Sequence, residues 1–191
     1  MKHREVEQKF RLLNHDELRQ RLQEVGATEV RTQRQVDVYY NAPHRDFLAD
    51  SSISEWLRIR DEDGAMSVTY KRWLPLHAET KSHCDEFETT LGDGEAFAKL
   101  FEALAFTKLI TVDKQREEWR LGDIEIALDT VKDLGSFVEF EYKGDAESVD
   151  EAHAQIEACI KKLGAQLGES HTGYPHQLIL QYQAKNKSKA E

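Results

Sequence analysis

The sequence predicts an α+β fold in which antiparallel strands carry one charged face and one apolar face, with helices packed on the apolar side. Three observations predict it. Eight short runs alternate polar and apolar side chains at period two. Three longer stretches repeat apolar residues at helical spacing between the strand runs. Finally, one parity of nearly every strand run is charged, so the helices can cover only the other.

The chain opens with EVEQKF, where Glu5, Glu7 and Lys9 alternate with Val6, Gln8 and Phe10. NHDELRQRLQEVGA follows as a helix, with Asn14 placed to cap, Glu17 at the capping-box position, an apolar stripe of Leu18, Leu22 and Val25, and Gly26 to end it. VDVYY, SEWLRIR, MSVTYK and DEFETTL then alternate as strands, with a turn at EDG. DGEAFAKLFEALAF reads as a second helix, its stripe formed by Phe97, Leu100, Phe101 and Leu104. KQREEWRL, IEIALDTV and FVEFEY complete the strands, with a turn at LGD. In SVDEAHAQIEACIKKLGA, Ser148 and Glu151 stand in capping-box register and Gly164 closes the helix. YPHQLILQYQ reads as a last short helix with Pro175 near its first turn. The order hints at duplication, because strand, helix, strand, strand occurs twice and sets Glu5 and Glu7 against Glu86 and Glu88.

The 191 residues suit one domain, expected over 1–183, with the polar stretch 184–191 expected to fray. A formal charge of −10 and a pI near 5.3 argue against non-specific binding to nucleic acid or to an anionic membrane, since the long-range field repels phosphate. Two cysteines, Cys84 and Cys159, form no framework and no metal-ligand spacing, and no apolar run approaches the roughly 20 residues of a membrane span. A cytoplasmic protein is the expectation. Oligomeric state stays open, a homodimer included.

The charged parity comprises Glu5, Glu7 and Lys9; Arg58 and Arg60; Lys71; Glu86 and Glu88; Lys114, Arg116, Glu118 and Arg120; Glu125 and Asp129; and Glu139, Glu141 and Lys143. A closed barrel with a charged lumen satisfies this pattern, and so does an open antiparallel sheet with a solvated polar face. Patterning leaves both open. The chemistry is more telling. Acids two residues apart, at Glu5/Glu7 and Glu139/Glu141, with Asp129 on another strand, offer hard oxygens to Mg2+ or Mn2+. Arg58, Arg60, Lys71, Lys114 and Arg116 provide more positive charge than a single carboxylate needs. Polyphosphate chemistry uses both sets, a metal to bridge phosphoryl oxygens and bases to neutralise the leaving group. No glycine-rich phosphate loop is present, so side chains would form the cradle.

These residues resemble the CYTH superfamily, the triphosphate tunnel metalloenzymes. EVEQK has that family's ExExK signature, and VDVYYNAP, LRIR, the lysine of VTYK, DEFET, DKQREEW and IALDTVKDLGSFVEFE follow in family order as far as GYPHQLIL. The resemblance implies an eight-stranded antiparallel barrel, a tunnel that takes a triphosphate end-on. It also implies metal-facing acids at Glu5, Glu7, Glu139 and Glu141 with Asp129 nearby. By the same matching, Lys9, Arg58, Arg60, Lys71, Lys114 and Arg116 hold phosphates, with Lys9, Lys114 and Arg116 as the catalytic set. Glu86 and Glu88 match acids that either support the metal or pair with the bases. Triphosphatases of the family often carry a lysine near the C-terminal helix, where this chain has His176 and Gln177. That segment and DTVKDLGSFVEFE look more like the class IV adenylyl cyclase branch. The expectation is therefore an enzyme that converts ATP to cyclic AMP and pyrophosphate, with hydrolysis of inorganic tripolyphosphate or thiamine triphosphate as the alternative.

Overall fold

The computed structural model describes residues 6–50, 52–76, 83–146, 148–170 and 173–187. The elements run β1 (Val6–Leu12), α1 (His15–Glu24), β2 (Thr28–Asn41), β3 (Glu55–Glu62), β4 (Ala65–Leu74), β5 (His83–Leu91), α2 (Gly94–Ala103), β6 (Thr107–Leu121), β7 (Ile124–Val131), β8 (Gly135–Tyr142), α3 (Val149–Leu163), β9 (Leu167–Ser170) and α4 (Tyr174–Lys187). Strand, helix and three strands therefore occur twice in succession, β1 to β4 and β5 to β8. The sheet has nine strands in the order β5-β4-β3-β2-β6-β7-β8-β1-β9, and every strand pair whose register is resolved is antiparallel.

Two differences from the expected barrel follow. A ninth strand, β9, pairs with β1 through Phe10↔Ser170 and Leu12↔Leu167, and among the described residues the strand order has two ends rather than closing on itself. The four-residue LGES is too short and too polar to show a period, which is why only eight runs are legible in the sequence.

The chain divides into two compact units, Met1–Arg34 with Lys114–Gln177, and Gln35–Asp113 with Leu178–Glu191. In the first unit, Val6 of β1, Trp119 of β6, Ile124, Ile126 and Leu128 of β7 and Val138 and Phe140 of β8 form one buried layer with Leu18 and Leu22 of α1 and Ile156 of α3. In the second, Tyr40, Leu57 and Ile59 pack with Val68, Tyr70, Phe97, Ala98 and Phe101. The apolar parity thus carries the core in each unit. Burying such side chains contributes about 1.5 to 3 kcal/mol each.

Some local expectations change. Asn14 makes no capping bond to α1; its amide donates to the Gly164 carbonyl at 3.2 Å and accepts from the Gln166 N–H at 2.8 Å, tying the helix entry to the α3–β9 loop. In α2, Phe97 and Phe101 face inward while Leu100 and Leu104 stand exposed, because Phe97, Ala98 and Phe101 are the residues that meet the sheet. Ser148 does cap α3, accepting from the Glu151 N–H at 3.1 Å, and Gly164 ends it at φ 65°. The EDG turn places Asp63 and Gly64 at φ 48° and 94°, the left-handed pair a two-residue hairpin requires. Helix α4 continues to Lys187 and so takes in 184–187; no breaker interrupts AKNK, and lysines suit a helix C-terminus. No described helix is long and apolar enough to cross a membrane.

Candidate functional site

Register builds the charged face of the first unit row by row. Arg116, Asp129, Phe137 and Arg11 lie in one row across β6, β7, β8 and β1; Glu118, Ala127, Glu139 and Lys9 lie in the next; Arg120, Glu125, Glu141 and Glu7 lie in the third. Because side chains alternate along each strand, these rows share the face opposite the helix-covered core. A cavity of about 210 Å³ opens on this face, lined by Arg116, Glu118, Glu125, Ala127, Glu139 and Glu141 among others.

Asp129 is the centre of the unit. It is 0% exposed and accepts four hydrogen bonds: from Lys114 Nζ at 3.0 Å, from Arg116 Nε and Nη2 at 2.7 and 2.6 Å, and from the Tyr174 hydroxyl at 2.7 Å. Burial alone would raise its pKa, but Lys114 and Arg116 outweigh it and hold the carboxyl well below the usual range. Burial likewise disfavours the Arg116 cation, and Asp129 and Glu139 overcome that and raise its pKa well above the ordinary value. Tyr174 sits edge-on to Phe137 at 5.0 Å, with Lys114 Nζ 5.2 Å from its ring centre. Its phenol is pushed well above the ordinary value by burial and by Asp129. The sequence groups Asp129 with the metal acids; in the structure its carboxylate is committed to four donors and orients two bases.

Beside this cluster, Arg116 reaches Glu139 at 3.1 Å, and the Lys9 ammonium lies 2.9 Å from Glu7 and 3.6 Å from Glu139. Glu141 pairs with Lys143 at 2.6 Å. Burial acts against the Glu139 charge, yet Lys9 and Arg116 bring its pKa to about 2. Glu7 moves the other way, raised by burial and by the nearby Glu139 despite its ammonium partner. Two carboxylates so close cannot both be comfortable.

The second unit repeats the device with the polarity of its strands exchanged. Asp37 of β2, 2% exposed, accepts from Arg60 Nε and Nη2 at 2.6 and 2.8 Å and from Arg58 Nη1 at 3.1 Å. Burial opposes the Arg58 charge, and Asp37 overcomes it and raises its pKa. Lys71 pairs with Glu86 at 2.9 Å, while Thr69 donates to Glu88 at 2.7 Å. Glu86 and Glu88 therefore partner neighbouring polar groups. Trp56 and Tyr39 meet edge to face at 5.5 Å on the charged side, in register with Lys71 and Arg58 respectively. Trp119, in contrast, belongs to the core.

Within the first unit, then, the structure brings together Glu7, Lys9, Lys114, Arg116, Asp129, Glu139 and Glu141. Within the second it brings Arg58 and Arg60 together on Asp37 and sets Lys71 on the adjoining rows. Glu5 lies outside the described residues. Asp37 is absent from the sequence-level set although the repeat could have found it: VDVYY occupies the place that KQREEWRL holds in the second half, and one acid amid apolar residues on a strand invites a search for a partner. Tyr174 left no such signal.

Carboxylate oxygens are the donor type a hard divalent cation takes, and such an ion can be held by one or two carboxylates together with substrate oxygens. Glu7 faces Glu141, and Lys9 faces Glu139, across adjoining strands, and the Glu7 carboxyl is raised first by burial and then by Glu139, against the pull of Lys9. Among the described residues no three His, Cys, Asp or Glu side chains form a group able to hold a metal ion.

Comparison with known proteins names the family of this chain, with its paired acids and clamped bases on antiparallel strands. The CYTH domain matches residues 3–172, and the chain belongs to that family. CYTH proteins act on small triphosphate substrates and depend on metal ions. A Methanocaldococcus jannaschii protein named "Putative adenylate cyclase" is 32% identical over 160 residues, 83% of this chain and 89% of its own length. Two solved structures from Pyrococcus horikoshii share the fold: PH1819 at 28% identity and TM-score 0.73, covering 94% of this chain and 99% of that one, and PH1012 at 25% and 0.72, covering 92% and 99%.

Proposed function

We propose that the protein is an adenylyl cyclase-like enzyme that converts ATP to cyclic AMP and pyrophosphate with Mg2+ or Mn2+. The observation that carries a triphosphate substrate is the pair of buried aspartates, Asp129 and Asp37, each holding two bases in fixed orientation. Bases held this way meet an anion with little reorganisation, which is where electrostatic catalysis gains most. The M. jannaschii relative's name supports cyclisation. The Trp56–Tyr39 pair beside Arg58 and Lys71 supports a substrate that carries an aromatic group, as ATP does and inorganic tripolyphosphate does not.

In the first unit Lys114 and Arg116 hold phosphoryl oxygens, with Lys9 as a further ammonium, and in the second unit Arg58, Arg60 and Lys71 offer the same contacts. Asp129 and Asp37 position these bases. Glu7, Glu139 and Glu141, with Glu5, would hold the metal, which when bound polarises phosphoryl oxygen and lowers the pKa of the attacking hydroxyl. In cyclisation the 3′-hydroxyl attacks the α-phosphorus in line and pyrophosphate departs. Arg116 and Lys114 neutralise the charge that accumulates on it. Glu139 tempers the Arg116 cation, and Asp129 keeps its guanidinium plane aimed.

The test is a panel of ATP, tripolyphosphate and thiamine triphosphate, each with Mg2+ and with Mn2+, reading cyclic nucleotide and phosphate separately. Cyclic AMP and pyrophosphate in equal amounts are expected from ATP. Phosphate release without cyclic AMP would replace cyclisation by hydrolysis. Glu139→Gln should abolish turnover while tripolyphosphate binding falls less, since the bases survive.

A further inference from the structure

We infer that Lys9 is an internal counter-cation for Glu7 and Glu139, one that a divalent metal must displace in order to bind. This rests on the proposed role of those two acids in holding the metal. The observations are positional. Lys9 is paired in register with Glu139 across β1 and β8, so its side chain leaves the strand beside that carboxylate, and Glu7 lies two residues away on the same face. Its ammonium is 2.9 Å from Glu7 and 3.6 Å from Glu139.

The other bases near these acids are anchored differently. Arg116 reaches Glu139 but is fixed by its bidentate bond to Asp129, and Lys143 is paired with Glu141 and, at 3.7 Å, with Glu125. Lys9 has no ion pair or hydrogen bond among the described residues other than those to the two acids. It stands on a flexible four-carbon stem, and Arg116 repels it. Partly buried carboxylates need a counter-charge, and without metal Lys9 supplies it to Glu7 and shares Glu139 with Arg116.

Exchange of one ammonium for one divalent ion leaves the acids neutralised and releases a positive side chain on the face where the bases already lie. Two consequences follow. The resting protein is protected from its own acid repulsion, and its affinity for metal is lower than the acids alone would confer. The released ammonium is then free to turn to a phosphoryl oxygen, so that metal loading prepares the cradle for its anion.

Mn2+ alone, with no triphosphate, tests this on the full chain by electron paramagnetic resonance of the free ion. Lys9→Met should bind Mn2+ about ten- to a hundredfold more tightly than the unsubstituted protein, the range set by one charge-assisted contact. Lys9→Arg, which keeps the competing charge, should stay near the unsubstituted value, and Glu139→Gln should weaken binding. If Glu139→Gln weakens binding but Lys9→Met leaves it unchanged or weaker, the counter-cation role is overturned and the metal reading stands. If Glu139→Gln has no effect, the metal reading falls and takes the counter-cation role with it. A second measurement avoids the Met variant: in a Mg2+ titration followed by carbon NMR of the lysine side chains, the Lys9 Cε resonance, assigned through Lys9→Arg, should move in step with Mg2+ saturation. A resonance that stays fixed to saturation overturns the inference.

Discussion

Replacing Asp129 by Asn removes one charge from the most buried polar group in the first unit while nearly preserving its volume. The carboxylate accepts from Lys114 at 3.0 Å, from Arg116 at 2.7 and 2.6 Å and from Tyr174 at 2.7 Å. An amide accepts through its oxygen only, so its NH2 group would face one of these donors, and Arg116 would keep Glu139 at 3.1 Å. Losing one partner of a buried ion pair costs about 3 to 5 kcal/mol. At this chain length each kcal/mol lowers Tm by about 2 to 4 °C, so a fall of roughly 6 to 20 °C is expected. Calorimetry at pH 7 measures it. Adding tripolyphosphate should return part of the loss, because the anion supplies the counter-charge that Asp129 provided. A loss below about 1 kcal/mol, the scale of a solvated pair, would show that Asp129 does not organise Lys114 and Arg116.

Four further outcomes are expected. Glu139 has a folded pKa of about 2, below its unfolded value, so its contribution is fully present above about pH 4.5 and disappears as pH falls toward 2; acid unfolding of Glu139→Gln should therefore be less steep across that window than that of the unsubstituted protein. Glu7 is raised in the folded state, so its ionisation costs stability as pH rises past its unfolded value, and Glu7→Gln should leave the ligand-free Tm at pH 7 unchanged or higher; a marked fall would reverse the sign argued for this pair. Arg58→Ala and Arg116→Ala should each weaken tripolyphosphate binding by about 1 to 3 kcal/mol in calorimetric titration, whereas Val6→Asp, which sets a charge among Leu18, Leu22 and Ile156, should lose the folded circular dichroism spectrum altogether.

The sequence by itself left β9 and the full lengths of β2 and β6 illegible, but it determined which face of eight strands would be charged and the order of those strands, the helices and the main turns. That followed from local rules: the period of two along a strand, the cap at Ser148, the glycine at 164 and the paired left-handed residues at 63 and 64. Acids and bases at Glu7, Lys9, Arg58, Arg116 and Glu139 were legible because charge repeating at strand spacing puts these groups on the face that the helices leave uncovered. Tertiary structure alone decided who partners whom. Asp129 and Glu139 share the same parity and composition, yet register sets one against Arg116 and a tyrosine from the C-terminal helix and the other beside Lys9. Tyr174 was missed because it acquires its role only through strands distant in the chain, whereas Asp37 left a signal in the repeat but gains its partners only from the neighbouring strand. A carboxylate becomes a clamp for bases or a ligand for metal according to how many donors surround it, and that number is a property of packing rather than of sequence.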